Sequence, residues 1–374
     1  MEVVAAAPKV RGVDGRERIL KLNRWLILGG GAILLVGAIL ARSRVHFQWG
    51  VFFGQVRHVD WTYIAFGIAM IGLGYVLRAV RWAVLLKPKK RVSSFSLFGS
   101  QVIGFAAVAL FGRLADLVRP YLAARRTQLS VSSQIAVYAV ERMFDLGAMA
   151  LIFSGALLLA PDRASLPHHE ALRHAAMGGL AMTVALGIVA LCVRIWGKPA
   201  GRLAACALQP ISAELGESVE MKIHSFRDGL DAIDSFGDFV LSLLISLVMW
   251  CMITAAYLAT ARAFVSSPEL SSMSLARCMV LMAASMVTSI VQLPVIGWFT
   301  QIGVTTGVME SIFDVPFEPA LACAAMLLLV TFMTVIPLGL IWARVEHVSI
   351  KKLSEESEHL LEEAAAPSGA VSEA

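Results

Sequence analysis

Two short stretches of this chain place charge inside apolar surroundings. In GRLADLVRP, Arg113, Asp116 and Arg119 stand three residues apart, so on a helix they form an alternating ladder along one face. Such a face suits a lipid phosphate, because the planar guanidinium donates two hydrogen bonds at once to phosphate oxygens while Asp116 holds the guanidinium groups in place. The same residues also fit a basic loop tied to lipid headgroups. In ERMFD, Glu141 and Asp145 stand four residues apart and Arg142 reaches Asp145 at a three-residue step. A charge at the bilayer centre costs about 2.5–3.5 kcal/mol on insertion scales, so three unpaired charges would defeat a span. Two carboxylates against one arginine leave a negative excess, which the Arg113 and Arg119 ladder neutralises if the segments pack together. A purely structural ion cluster is the plainer reading.

Two further sets belong with these. Arg78 and Arg81 lie on one helical face and are followed by Trp82. They read either as snorkelling arginines with an interfacial Trp or as partners for an anionic lipid head. In QLPVIGWFTQIG, Gln292 and Gln301 flank a break at Pro294 and Gly297. A broken helix exposes backbone groups that are tolerated only against protein or a water-filled cavity; a packing kink is the alternative. The stretch HHEALRH (His168, His169, Glu170, His174) reads as an exposed loop before it reads as a metal site. Cys192, Cys206, Cys251, Cys278 and Cys323 are scattered without ligand spacing. No nucleophile elbow, phosphate loop or paired-cysteine metal site occurs, so no catalytic set, metal or cofactor is expected.

Only 16% of the 374 residues are charged and 58% are hydrophobic, with a mean hydropathy of +0.74. A soluble domain would be nearer 25% charged, so the elements that carry these residues are membrane segments. Apolar runs recur at Trp25–Ala41, Trp61–Leu77, Phe95–Gly112, Thr127–Pro161, Ala175–Val193, Phe239–Ala261, Cys278–Met309 and Pro319–Ala343. The first is expected to be a retained anchor rather than a cleaved signal. Lysines and arginines before the first run and after the second place both of those ends in the cytoplasm. A complete crossing at 95–112 would put Arg113, Arg119, Arg125 and Arg126 outside, so this run is expected to enter from the cytoplasm and return. Cys278–Met309 is too long for one span, and its break at LPVIG predicts two half-helices entering from the outside. The fold expected is an all-α polytopic transmembrane bundle with about six crossings and two re-entrant broken-helix hairpins of opposite orientation, a transporter-like arrangement.

The organisation that follows is a cytoplasmic tail over 1–24, a transmembrane domain over 25–343 and an acidic cytoplasmic tail over 344–374. Within the second, residues 197–236 carry apolar positions at three- and four-residue steps and predict a cytoplasmic amphipathic helix. The net charge of +5 is modest, and its clustering beside membrane segments favours anionic lipid over nucleic acid.

The order RAVRWAVLL, GRLADLVRPYL, VERMFDLGAM and LPVIGWFTQIG resembles the transmembrane region of lysylphosphatidylglycerol synthases and their stand-alone flippase-like relatives, from about Trp61 to Ala343. By that resemblance the family's Gly-x-x-Glu/Asp-x-x-Arg pattern falls on Arg113, Asp116 and Arg119, and its Glu-Arg-x-x-Asp pattern on Glu141, Arg142 and Asp145. Its Pro-x-x-Gly-Gly break falls on Pro294 and Gly297, with Trp298 in place of the second glycine. The acidic residue that often follows the break has no counterpart, since Gln301 and Gly303 occupy that region. About thirty residues follow the last span, too few for the synthases' soluble aminoacyl-transfer domain, so synthase activity is not expected. The resemblance implies a lipid transporter of the inner membrane, with both termini cytoplasmic, that moves an anionic phospholipid or a polyprenyl-phosphate-linked glycan between leaflets. A membrane-embedded headgroup transferase, with Glu141 or Asp145 as general base, and a non-catalytic partner of a cell-envelope glycosyltransferase are the alternatives.

Overall fold

The structure is a computed structural model that describes residues 47–160, 169–185, 187–188, 235–288 and 296–348. The chain divides into two units, 1–50 and 51–374, and everything below concerns the second. The tail over 1–24, the run Trp25–Ala41, nearly all of the expected amphipathic helix over 197–236 and the acidic tail beyond 348 lie outside the described residues, as do Gln292, Pro294, Cys192, Cys206 and His168.

The described elements are helical. After α1 (Trp49–Arg57) come α2 (Trp61–Leu86), α3 (Ser94–Phe111), a 3-10 turn (Arg113–Leu117), α4 (Val118–Thr127) and α5 (Val131–Leu159). They are followed by α6 (Phe236–Arg262), the short α7 (Pro268–Ser271), α8 (Leu275–Thr288), α9 (Ile296–Phe313), α10 (Phe317–Leu328), a π turn (Leu329–Met333) and α11 (Val335–Val345). A further helical segment occupies 169–185. Five helical stretches are long and apolar enough to cross a membrane: Trp61–Leu86, Ser94–Phe111, Val131–Leu159, Phe236–Arg262 and Phe317–Val345. The protein is an all-α polytopic membrane bundle.

Capping fixes where the long helices begin. Asp60 accepts the Thr62 amide at 2.9 Å, Ser130 accepts that of Ser133 at 3.3 Å, and Ser235 accepts that of Asp238 at 3.1 Å. Each side chain occupies a donor that the first helical turn would otherwise leave unpaired.

Polar contacts sort the helix ends onto two faces. On one, Lys87 after α2 pairs with Asp238 of α6 at 3.0 Å, Lys89 reaches Ser133 of α5, and Lys90 donates to the Thr127 carbonyl at 2.8 Å. Arg126 of α4 pairs with Glu346 after α11 on the same face. On the other, the Asp60 amide before α2 donates to the Ala263 carbonyl after α6 at 2.9 Å, and Arg262 donates to the Met273 carbonyl before α8. The guanidinium of Arg277 in α8 lies 5.8 Å from the ring of Phe313 at the end of α9.

Two hairpins follow from this sorting. Helix α3 starts at the lysine-rich face and α4 ends there, so this pair goes in and comes back. Helix α8 starts at the opposite face and α9 ends there, so the second pair opens the other way. The expected inverted hairpins are thus present, with one correction: 95–112 does not itself enter and return. It is one uninterrupted leg, and the return is made by α4. The turn lies at Gly112, whose φ of 78° is a conformation that a residue without Cβ adopts freely. The 3-10 turn then carries the chain into α4, whose Pro120 sits in the first helical turn, where its missing N–H goes unneeded. Helix α2 also runs nine residues past the expected Leu77, through the Arg78–Trp82 stretch.

The last span is discontinuous in a way that apolar patterning does not announce. At Leu329–Met333 it opens into a π turn, with the Thr334 amide reaching the Leu329 carbonyl at 3.1 Å. Pro337 lies a few residues on and cannot donate to the preceding turn.

Candidate functional site

The charged stretches converge where α2, α4 and α5 face one another. Arg81, from the inner side of α2, is 0% exposed. Its Nη2 donates to Glu141 Oε1 at 2.7 Å and its Nη1 to Asp145 Oδ1 at 2.6 Å, with Ser246 of α6 also within 2.6 Å. Arg78, one helical turn away, meets Asp145 at 3.3 Å and Glu141 at 3.5 Å. From α4, Arg119 lies 3.4 Å from Glu141 and 3.6 Å from Asp116. Arg142 closes the set at 3.4 Å from Glu141 and 3.2 Å from Asp145.

The i, i+4 spacing of Glu141 and Asp145 puts both carboxylates on one face of α5, and Arg78 and Arg81 present a matching pair on α2. This answers the insertion problem posed by ERMFD, because the charges are paired within the protein rather than offered to lipid. It also overturns the snorkelling reading of Arg78 and Arg81: they turn inward to carboxylates. Trp82 is fully buried, and its Nε1 donates to Gln134 Oε1 at 2.9 Å.

Aromatic rings stand against these guanidinium groups. The Phe105 ring stands 4.9 Å from the Arg78 guanidinium and 4.3 Å from that of Arg119. The Tyr138 ring stands 4.9 Å from Arg119 and 5.1 Å from Arg142. A π face attracts a cation from either side, so each ring bridges two arginines that would otherwise repel. Gly104 makes the arrangement possible, since a Cβ there would collide with the Arg119 side chain.

Against this cluster lies a cavity of about 240 Å³. Arg78, Arg142 and Asp116 form its charged end. Tyr257, Ser285, Gln301 and Thr331 supply uncharged hydrogen-bonding groups elsewhere in its wall, and Ile71, Met249, Ile253 and Phe332 are among its apolar lining. Both hairpins contribute: Phe105, Val108 and Asp116 come from the first, and Ser285, Met286 and Gln301 from the second. The π turn adds Thr331 and Phe332, in keeping with the tendency of such turns to mark functional sites.

The residues singled out by sequence therefore divide. Arg78, Arg142, Asp116 and Gln301 line the cavity. Arg81, Arg119, Glu141 and Asp145 stand behind it as a buried brace. Gly297 opens α9 and is buried; the Arg113 side chain lies outside the described residues. Sequence reasoning passed over Phe105, Tyr138, Tyr257 and Trp250. Nothing in their spacing distinguishes them from ordinary apolar-face aromatics, and only the packing of α3, α5 and α6 shows what they touch.

Among the described residues no group of three or more His, Cys, Asp and Glu side chains is placed to hold a metal ion. His169 and Arg173 pair with Glu170 at an exposed helix start. Cys278 and Cys323 are buried free thiols. No curated protein and no solved structure matches the chain. A family model described as the lysylphosphatidylglycerol synthase TM region matches residues 26–339, a stretch that contains the charged cluster, both hairpins and most of the last span. The chain belongs to the family of the lysylphosphatidylglycerol synthase TM region.

Proposed function

We propose that this protein is a lipid transporter that moves an anionic phospholipid or a lipid-linked glycan precursor between leaflets, in an inner membrane and with both termini cytoplasmic. The observation that carries the reading is the shared cavity. Two hairpins opening at opposite faces wall one space, and that space has a guanidinium pair at one end. A site reached by discontinuous elements from both sides is what alternating access needs.

The brace explains why the guanidinium groups are available. Arg78 and Arg142 each contact Asp145, which fixes their position, while both remain in the cavity wall. A pre-positioned planar fork binds phosphate oxygens with little further ordering. The volume also fits a headgroup better than a whole lipid, because complete small-molecule sites run to roughly 300–1,000 Å³. The acyl chains then stay in the surrounding bilayer.

The geometry favours transport over headgroup transfer. Glu141 and Asp145, the candidates for general base, are occupied by guanidinium groups and do not line the cavity. The test is scrambling of a fluorescent anionic phospholipid in proteoliposomes. Arg142→Ala is expected to lower the rate at least tenfold beyond what its loss of stability in detergent unfolding explains, and Arg142→Lys to recover only part of it, because a point charge does not replace a fork. Wild-type rates in both variants would sink the reading.

A further inference from the structure

The lysine-rich face is only partly neutralised by the residues packed on it. Lys87 pairs with Asp238 and Arg126 with Glu346, whereas Lys89 and Lys90 donate to uncharged acceptors, the Ser133 hydroxyl and the Thr127 carbonyl. Arg91, Arg125 in the last turn of α4 and Arg344 in the last turn of α11 are exposed, and among the described residues none of the three meets a carboxylate. We propose that this face is the docking surface for the acidic C-terminal segment of the chain itself, residues 354–363, and that docking clamps α4, the returning leg of the first hairpin, against α11. The proposal concerns how α4 is held, and it stands whatever the cavity carries.

Where the described chain ends is the first reason for this occupant. Val348 packs on the apolar cluster that includes Val118 and Leu122 of α4, as Tyr121 does, and the Arg125 guanidinium stands 6.0 Å from the Tyr121 ring. The chain therefore leaves the described structure beside α4. Glu355 follows after a span of at most about 25 Å, so the segment reaches the whole basic face.

Charge is the second reason. Glu355, Glu356, Glu358, Glu362 and Glu363 crowd into this short stretch, and no lysine or arginine follows Lys352. An anionic membrane surface, which attracts lysines and arginines, repels such a segment, so the basic protein face nearby is the surface that complements it. Glu355, Glu358 and Glu362 stand at three- and four-residue steps, a spacing that lets one helical face present all three.

The third reason is continuity with a contact already formed. Glu346, just past α11, pairs with Arg126 of α4. Gly99 of α3 leaves room for it, since a Cβ there would collide with Glu346 and with the Trp342 indole. The Trp342 ring in turn meets Phe98 at 5.1 Å and Phe95 at 6.0 Å. Residues adjoining the C-terminal segment thus fasten α3, α4 and α11 together, and further carboxylates on Arg125, Arg91 and Arg344 extend the same fastening. Surface ion pairs are weak one by one, but a short tether holds the segment at high effective concentration. Because α4 also carries Arg119, which lies 3.4 Å from Glu141, holding α4 steadies the brace behind the cavity.

The test uses the full chain in nanodiscs of phosphatidylcholine, treated with a carbodiimide that joins carboxylates to lysines in direct contact and mapped by mass spectrometry. Crosslinks from residues 355–363 to Lys89 or Lys90 are expected, and they should persist when phosphatidylglycerol makes up an equal share of the lipid. Arg91→Glu combined with Arg125→Glu should lower their yield severalfold. Adding Glu355→Lys and Glu358→Lys should restore contact, now read between the exchanged positions, which also certifies the fold of the variant. Deleting residues 353–374 should speed hydrogen exchange of the α4 amides severalfold, which reads the clamp directly. A crosslink yield indifferent to Arg91 and Arg125, or α4 exchange unchanged by the deletion, would overturn the proposal. Loss of the crosslinks in phosphatidylglycerol would overturn it too, by showing that lipid headgroups hold the face instead.

Discussion

Arg81 meets two carboxylates and a serine in the protein interior, with both terminal nitrogens engaged. An arginine so enclosed is stable only because its partners are there. Removing it leaves Glu141 and Asp145 short of a counter-charge in a place water does not reach, a change that costs about 3–5 kcal/mol for buried pairs. Arg81→Met is therefore expected to destabilise by that order in detergent unfolding. The double variant Arg81→Met, Asp145→Asn should lose less than the two single changes combined, since one deletion removes the reason for the other. Strict additivity would show that the groups act separately. The sequence made part of this legible. The spacing of Glu141, Arg142 and Asp145 required partners, and the ladder correctly suggested Arg119. It did not show that Arg78 and Arg81 are also partners, because a pair of arginines near a Trp has the same spacing whether it faces lipid or carboxylates.

At the level of elements, helix α3 is held close to its neighbours by residues with no side chain. A Cβ on Gly339 of α11 would collide with Ala106 and come within 2.6 Å of the Val102 carbonyl. On the far side of α3, Gly104 leaves room for Arg119. Small residues permit this approach between membrane helices, where packing rather than water exclusion drives association. Gly339→Leu should force α3 and α11 apart, cost about 1–3 kcal/mol as overpacking does, and weaken the brace through Arg119. Unfolding of the variant in detergent checks the first effect, and a fall in lipid scrambling beyond what folding explains checks the second. A stability equal to that of the native protein would mean the helices are not in contact there. Apolar run lengths did reveal the existence of these helices, and the distribution of arginines with the break at LPVIG revealed the inversion of the two hairpins. They did not reveal that the first hairpin returns through α4, because α4 carries Arg119, Arg125 and Arg126 and reads as a loop by hydropathy.

For the whole molecule, the lysine-rich face and its opposite make a statement about orientation that labelling can test. The face bearing Lys87, Lys89, Lys90 and Arg126 is expected to lie in the cytoplasm, following the distribution of Lys and Arg. Gln128 is exposed on that face and Ser266 is exposed on the other. Gln128→Cys should react with an impermeant maleimide only after the membrane is opened, and Ser266→Cys in intact cells. External labelling at position 128 would mean that the first hairpin crosses. Which helix ends share a face was the more legible level, since charge placed the ends of α2, α4 and α11 together, and the side-chain geometry of the cavity was the least legible. Charge bias acts on whole loops and survives small errors in helix ends, whereas the cavity depends on which aromatic meets which arginine.

The π turn in the last span adds one residue to a helical turn, and in a helix of 3.6 residues per turn one residue is about 100° of rotation. Everything after Met333 is thereby re-phased against everything before it. That offset lets Val335, Gly339 and Ala343 form the buried stripe of α11, while α10 answers to a different set of neighbours. An apolar helix of the same composition without the extra residue would carry the same stripe of small side chains around to another bearing. The span thus works as two cylinders coupled at a fixed angle, and the coupling sits beside the cavity, where Thr331 and Phe332 belong to its wall. Relaxing the π turn to regular α geometry would turn one cylinder against the other and move those two residues together, so a change of twist at this point is felt at once by the cavity wall and by the close contact with α3.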